Sequence, residues 1–253
     1  MNLFDLTGKC ALVTGGSRGL GLAMTKALCM AGAKVAIIAT SEQVFHVADE
    51  LCGAGFSVVG VKCDLADADQ LEAGFEEALA KLGGRLDILV NNAAINRRGA
   101  AEDYAISDWD YILDLNLRAV FRLSQLAGRH MLERGSGKII NIASLAATFG
   151  SLDAAAYSAS KGALVQMSKS LSNEWAGRGI NVNVIAPGWT VTEATEGILT
   201  QDKARTESIT ARIPKGRWGR PADMMGVTLL LASDASDFIT GAVIPVDGGF
   251  TAR

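Results

Sequence analysis

The chain has little from which to build a metal centre. Among its 253 residues only two are histidines, His46 and His130, so a histidine-rich site is excluded and no bound metal is expected. The four cysteines, Cys10, Cys29, Cys52 and Cys63, form no CxxC pair. They are expected to be reduced and to behave as small buried hydrophobes. Positive charge is not in excess, the formal net charge being −3. That balance argues against a surface that neutralises nucleic-acid phosphates. No apolar run is long enough to span a bilayer, because each is broken by glycine or charge. Residues 1–9 lack a secretory-signal pattern, since Asp5 interrupts a short apolar stretch. A cytoplasmic chain with no membrane partner is expected. Aromatic residues are scarce at 6%, against 49% apolar overall, so the core must come mostly from Ala, Val, Leu and Ile.

What is present is a regular alternation of short apolar runs and longer helical patterns. Residues 10–14, 34–39, 57–62, 86–91, 138–143, 181–186 and 242–246 read as strands. Their apolar runs are near-continuous, as in strands covered on both faces. Between them, Gln70–Leu82 places Leu71, Phe75, Ala78, Leu79 and Leu82 on one helical face, and Asp67 with Gln70 offers a capping box. This rhythm predicts an α/β fold: a doubly wound, Rossmann-like parallel sheet of about seven strands in one three-layer α/β/α domain over residues 1–253. The polar, Thr-rich stretch 190–213 breaks the rhythm. It is expected to form a substrate lid, the alternative being a surface insertion without a role.

Thr14-Gly15-Gly16-Ser17-Arg18-Gly19-Leu20-Gly21 follows the first strand and opens a helix. Glycines at 15, 19 and 21 permit a tight turn and close approach of a pyrophosphate. The helix N-terminus supplies unpaired N–H groups and a partial positive charge. Gly15, Ser17, Arg18, Gly19, Leu20 and Gly21 are therefore candidate cofactor contacts. The second strand ends Ala39-Thr40-Ser41, with no carboxylate before Glu42 to accept from a ribose 2′-OH. Thr40 and Ser41 can donate to a 2′-phosphate and Arg18 can supply charge, which favours NADP(H) and leaves NAD(H) open. Thr40 and Ser41 could equally cap the next helix.

Tyr157 and Lys161 are four residues apart and share a helix face. A nearby ammonium favours phenolate, which suits Tyr157 to exchange a proton with a carbinol oxygen while hydride moves. Ser144, just past the fifth strand, can hold the same oxygen. Taken alone, a Tyr-x-x-x-Lys pair is as readily a helix surface pair.

Together these segments resemble the short-chain dehydrogenase/reductase family over essentially the whole chain. Besides the glycine motif, the resemblance rests on Cys63-Asp64-Leu65, Asn91-Asn92-Ala93-Ala94, Asn116, the set Ser144, Tyr157 and Lys161, and Pro187-Gly188 with Thr192. Ala94 stands where the family usually has glycine, and a slight packing shift beside the cleft is expected. The resemblance implies an NAD(P)-dependent oxidoreductase that interconverts a secondary alcohol and a ketone. It implies that Tyr157 is the general acid or base and that Lys161 lowers its pKa and holds the nicotinamide ribose. Ser144 would position the substrate oxygen, and Asn116 would anchor a water linking Lys161 to solvent. In a purely structural reading Asn116 only caps or kinks its helix. Asp64, Leu65, Asn92, Ala93, Pro187, Gly188 and Thr192 would line the cofactor.

The substrate is less legible. Residues 92–98, 108–110, 173–175, 212–219 and 246–253 resemble the sugar-acid branch, which includes 2-deoxy-D-gluconate 3-dehydrogenase and gluconate 5-dehydrogenase. Arg97 and Arg98 follow the fourth strand at its carboxyl end, where open α/β sheets bind ligands. A guanidinium there can pair with a carboxylate, although two solvated arginines are the plainer reading. Trp189 joins them as a candidate substrate contact. Against this, the glycine motif and residues 39–42 resemble 3-oxoacyl-carrier-protein reductase, an NADPH enzyme. It would need a basic patch, to which Arg97, Arg98, Arg129 and Arg134 could contribute beside Glu102, Asp103, Asp108 and Asp110. Trp189 and Phe149 would also suit an apolar ketone. A nucleotide-binding protein without turnover is the reading from another class. The family resemblance implies a homotetramer built partly on the Tyr157 helix, where Ala159, Gly162 and Ala163 permit close approach. Those small residues could instead pack only on the protein's own sheet.

Overall fold

Seven parallel strands form one sheet in a computed structural model that describes residues 2–252. Met1 and Arg253, the ends of the expected single domain, lie outside the described residues. The strands are β1 (Cys10–Thr14), β2 (Lys34–Ala39), β3 (Val58–Lys62), β4 (Ile88–Asn91), β5 (Gly137–Ile142), β6 (Ile180–Pro187) and β7 (Val243–Val246). The helices are α1 (Gly19–Met30), α2 (Gln43–Gly53), α3 (Ala68–Lys81), α4 (Ile106–Leu113), α5 (Ala119–Arg134), α6 (Ala155–Trp175), α7 (Glu193–Gln201), α8 (Lys203–Ala211) and α9 (Met225–Ala232). Each expected strand is present, with ends shifted by no more than two residues.

The strand order is β3-β2-β1-β4-β5-β6-β7. The chain winds outward in both directions from β1 and β4, and such a reversal opens a crevice above the carboxyl ends of the strands. The period of two along each strand feeds two cores. Ala11 and Val13 face α1, α2 and α9 through Met24, Leu28, Val47, Leu51 and Leu231. Cys10 and Leu12 face the opposite layer, with Leu71, Phe75, Leu123, Met131 and Leu171 of α3, α5 and α6. The expected three-layer arrangement follows from this double burial.

Two local expectations change. Asp67 caps α3 as anticipated, its Oδ1 accepting from the backbone N–H of Asp69 at 3.0 Å and Gln70 at 3.1 Å. Gln70, however, accepts from the N–H of Asp64 at 3.2 Å and donates to Asp67 Oδ2 at 3.0 Å, so the box is not reciprocal. Among the cysteines, Cys10, Cys29 and Cys63 are buried but Cys52 is exposed. It lies at the open end of α2, where its thiol donates to the carbonyl of Val58 at 3.1 Å.

Residues 190–213 are not a loop. They hold α7 and α8, which pack through Ile198, Leu199, Ile209 and Ile213 against Leu145, Trp218 and Phe250. This small core lies apart from the two sheet cores and sits over the carboxyl ends of β5 and β6. Among the described residues, no helix is long and apolar enough to cross a membrane, and no cluster of His, Cys, Asp and Glu could hold a metal ion.

Candidate active site

The carboxyl ends of β1, β4, β5 and β6 deliver Gly15, Asn92, Ser144 and Gly188 to one edge of the sheet. The turn after β1 can exist only with glycine. Gly15 and Gly19 have φ of +63° and +52°, the left-handed region that side chains disfavour. A Cβ on Gly21 would lie 2.0 Å from the carbonyl oxygen of Gly15. Arg18 precedes α1 in extended conformation without a capping side chain, and the first turn holds no acidic residue. The first-turn N–H groups thus face a cradle with no side-chain acceptor of the chain's own. A Cβ on Gly19 would meet only Thr192, at 3.8 Å, so Thr192 borders the same space. A positive helix end, glycine backbone and open space fit a pyrophosphate, and hence the dinucleotide anticipated from the sequence.

Thr14 and Asn92 brace this cradle. Thr14 Oγ1 accepts from the N–H of Asn92 at 2.9 Å and of Ala93 at 3.0 Å. The Asn92 amide donates to the carbonyls of Thr14 at 3.0 Å and Gly15 at 3.2 Å. The Asn92 side chain therefore stiffens the glycine turn rather than reaching outward. The part played by Thr14 has no signal in the sequence, because a threonine closing a buried strand carries no distinguishing pattern. Ala94 is exposed, so its methyl disturbs no packed contact. Gly188 is held for a different reason than cofactor approach: a Cβ there would lie 2.7 Å from Cα of Asp247.

At the end of β2, Thr40 and Ser41 are exposed. The helix-capping alternative fails, since the residue capping α2 is Glu42 and no side-chain cap is made there. Glu42 pairs with Lys62 at 2.6 Å, which draws the nearest carboxylate away from a ribose hydroxyl. Arg18 is mostly exposed and pairs with Glu193 of α7 at 2.9 Å, joining the glycine turn to the 190–213 segment. Asp64 is half-buried and accepts from the N–H of Ala66 at 3.0 Å, and Leu65 is buried in the sheet core.

The Ser144 side chain lies close enough to Tyr157 to favour its ionised form, while Ser144 Oγ accepts from the N–H of Ala146 at 3.1 Å. Burial raises the Tyr157 pKa; the Ser144 side chain and the charge of Arg98 pull against it. Lys161 is buried on the same face of α6, with Nζ 5.7 Å from the Tyr157 ring centroid. It donates to the carbonyl of Ile142 at 2.8 Å, and burial pushes its pKa down to about 8. The expected depression of the Tyr157 pKa by Lys161 is therefore not the governing effect. Burial sets the direction of the shift, and the groups that oppose it are Ser144 and Arg98.

Asn116 is wholly buried. It lies in a π-helical turn, Asp114–Arg118, between α4 and α5. Its carbonyl oxygen accepts from the N–H of Ile95 at 2.9 Å, and its amide donates to the carbonyl of Ile95 at 2.8 Å and to Ser160 Oγ at 3.2 Å. The side chain thus clamps the segment after Asn92 to α6. Both hydrogens of the amide are thereby engaged within the chain.

The two candidate arginines separate. Arg97 is paired with Asp108 and stacked 4.5 Å from the Tyr111 ring centroid, so it is spent inside the chain. Arg98 donates to the carbonyl of Leu152 at 3.0 Å. Its pKa is lowered first by burial and then by the positive charge of Arg205, against the opposite influence of Asp153 and Tyr157. Arg98 alone of the pair acts on the Tyr157 hydroxyl. Trp189 is half-buried and packs 5.2 Å from Trp218, while Phe149 packs 6.1 Å from Phe250. Both aromatic groups are partly taken up by the small core under α8.

The family model described as enoyl-(acyl carrier protein) reductase matches residues 15–251. The chain is 43% identical to a 2-dehydro-3-deoxy-D-gluconate 5-dehydrogenase of Pseudoalteromonas atlantica, over 99% of this chain and 98% of that one. It is 38% identical to a gluconate 5-dehydrogenase of Gluconobacter oxydans, over 99% and 97%. The crystal structure of a gluconate 5-dehydrogenase of Burkholderia cenocepacia, in complex with NADP and tartrate, superposes with a TM-score of 0.95 at 38% identity, covering 100% of this chain and 98% of that one. Full-length likeness in sequence and in fold, together with the glycine cradle and the Ser144, Tyr157 and Lys161 cluster, makes this chain a member of the short-chain dehydrogenase/reductase family of NAD(P)-dependent oxidoreductases acting on CH–OH groups.

Proposed function

We propose that this chain interconverts an alcohol and a ketone on a sugar acid of the gluconate type, with NADP(H) as coenzyme. The observation that carries the substrate reading is Arg98, a guanidinium close enough to Tyr157 to influence its hydroxyl. A substrate whose carbonyl oxygen meets Tyr157 and Ser144 then has a cation within reach of its carboxylate. The names of the full-length relatives point the same way. The coenzyme reading rests on the exposed Thr40 and Ser41, on Glu42 being engaged by Lys62, and on the NADP held by the structural relative.

In this reading the bound nicotinamide supplies or accepts the hydride. Ser144 donates to the carbonyl oxygen and fixes its position. Tyr157 gives that oxygen its proton in reduction and removes it in oxidation. Lys161, anchored on Ile142, contributes a cation beside the reacting oxygen. Gly15 through Gly21 hold the phosphates on α1, with Ser17, Leu20, Ala93, Pro187 and Thr192 around them. Residues 190–213 act as the lid, fastened to the glycine turn by Arg18 and Glu193.

The acyl-carrier reading has less support. Arg97 is paired with Asp108, which weakens the basic patch that an acidic carrier would need. The test is an absorbance assay that crosses NADPH and NADH with 5-ketogluconate and with an acetoacetyl thioester. Turnover of the sugar acid with NADPH is expected, at least about tenfold faster in kcat/KM than any other combination. Preference for the thioester would reassign the substrate; preference for NADH would reassign the coenzyme.

The homotetramer is also part of the proposal. Leu113, Leu117, Phe121 and Met167 line a groove beside Ala163, and Phe121 is 43% exposed. Ala159 and Ala163 are exposed rather than packed on the sheet, which favours close approach of another subunit's helix. Sedimentation velocity is expected to give a stable tetramer, and Phe121→Asp a smaller species. A wild-type monomer at micromolar concentration would overturn this.

A further inference from the structure

We propose that Arg205 of α8 is a second guanidinium arm that binds the substrate carboxylate together with Arg98; the inference rests on the sugar-acid reading above. Neither the glycine motif nor the Tyr157 cluster draws attention to this residue. It lies in a helix without a marked apolar stripe, where sequence periodicity is silent.

The placement comes from packing. Ile209 of α8 is buried in the small core that includes Leu145, the residue after Ser144. Arg205 is one helical turn before Ile209, so the two share a face. The same face that presses Ile209 onto Leu145 therefore carries Arg205 over the neighbouring part of the cleft. Arg205 is half-buried, whereas Lys203, Ala204 and Glu207 around it are exposed. Its backbone N–H is satisfied by Asp202 Oδ1 at 3.0 Å, but its guanidinium has no carboxylate partner among the described residues.

The electrostatics agree. Arg205 acts on Arg98 as a like charge, and Tyr157 acts on Arg98 as an opposite one. The only carboxylate acting on Arg98 with them is Asp153. Two guanidiniums held near one another repel, and an anion placed between them relieves that repulsion. A sugar-acid carboxylate is such an anion, and each guanidinium can meet it with paired N–H donors. The arm belongs to the 190–213 segment, so substrate with a carboxylate would also draw this segment onto the site.

The experiment compares oxidation of D-gluconate and D-glucitol, which differ only in a carboxylate or a hydroxymethyl at C1. Wild-type protein, Arg205→Gln and Arg205→Lys are assayed with NADP. Arg205→Gln is expected to lower the ratio of kcat/KM for gluconate over glucitol about tenfold, mostly through KM, with Arg205→Lys recovering part of it. If the wild type shows the preference and Arg205→Gln keeps it, the arm is wrong and the sugar-acid reading stands. If Arg205→Gln weakens both substrates equally, Arg205 serves only to hold the lid, and the proposal fails. If the wild type shows no preference for gluconate, the sugar-acid reading itself fails.

Discussion

Replacing Tyr157 by Phe is expected to lower kcat/KM about a thousandfold while leaving NADPH affinity within about twofold, since a positioned general acid contributes on that scale. The substitution removes one oxygen and keeps the ring that packs on α6 beside Lys161. The hydroxyl is also the group on which Ser144 and the Arg98 charge act. Its loss thus removes the proton and leaves the pocket in shape. NADPH fluorescence titration and single-turnover absorbance measure the two quantities separately. Turnover at the wild-type rate would show that the proton comes from elsewhere. A parallel collapse of NADPH binding would show that Tyr157 holds the cofactor site together and is not chiefly a proton donor. The partner substitution at Ser144 would then be the better probe of the chemistry.

Gly21→Ala is expected to weaken NADPH binding about a hundredfold and to cost about 1–3 kcal/mol of stability, the range for overpacking a close contact. The added methyl would meet the Gly15 carbonyl oxygen at 2.0 Å and its carbon at 2.7 Å. Both are backbone atoms of a turn that Asn92 and Thr14 already fix, so the clash cannot be relieved by turning a side chain. Relief requires the turn to open, which displaces the N–H groups facing the phosphates. Gly53→Ala is the control. It lies in α2, where a Cβ meets nothing within 4 Å, and it is expected to raise stability by up to about 1 kcal/mol through helix propensity. Thermal melts and NADPH titration read both variants. If Gly21→Ala bound NADPH as tightly as wild type, the glycine turn would not be the phosphate site.

Much of the fold is legible in the order of residues along the chain. The near-continuous apolar runs mark the strands, because a strand covered on both faces has few polar positions to confuse the pattern. The glycine turn is legible because a left-handed backbone and a close carbonyl admit no other residue type. The Ser144, Tyr157 and Lys161 set is legible only as a family pattern. The spacing of Tyr157 and Lys161 alone describes any helix-surface pair.

Other features are hidden for physical reasons. Arg97 and Arg98 are adjacent and chemically alike, and only the fold shows that Asp108 and Tyr111 consume one of them. Thr40 and Ser41 suit a helix cap as well as a phosphate contact, and the choice turns on where α2 begins. The 190–213 segment carries no helical signal because α7 and α8 bury little of their surface. Their stability comes from Leu145, Trp218 and Phe250, which are distant in sequence.

Local pattern therefore determined the α/β rhythm and the glycine cradle, since each depends on neighbours within a few positions, whereas the residues near the reacting oxygen were legible only through the family pattern. The tertiary structure alone decided that burial raises the Tyr157 pKa, which arginine acts on its hydroxyl, and how Asn116 is held to Ile95 and Ser160. Burial, ion pairing and electrostatic reach depend on contacts between segments far apart in the chain, and no local pattern carries them.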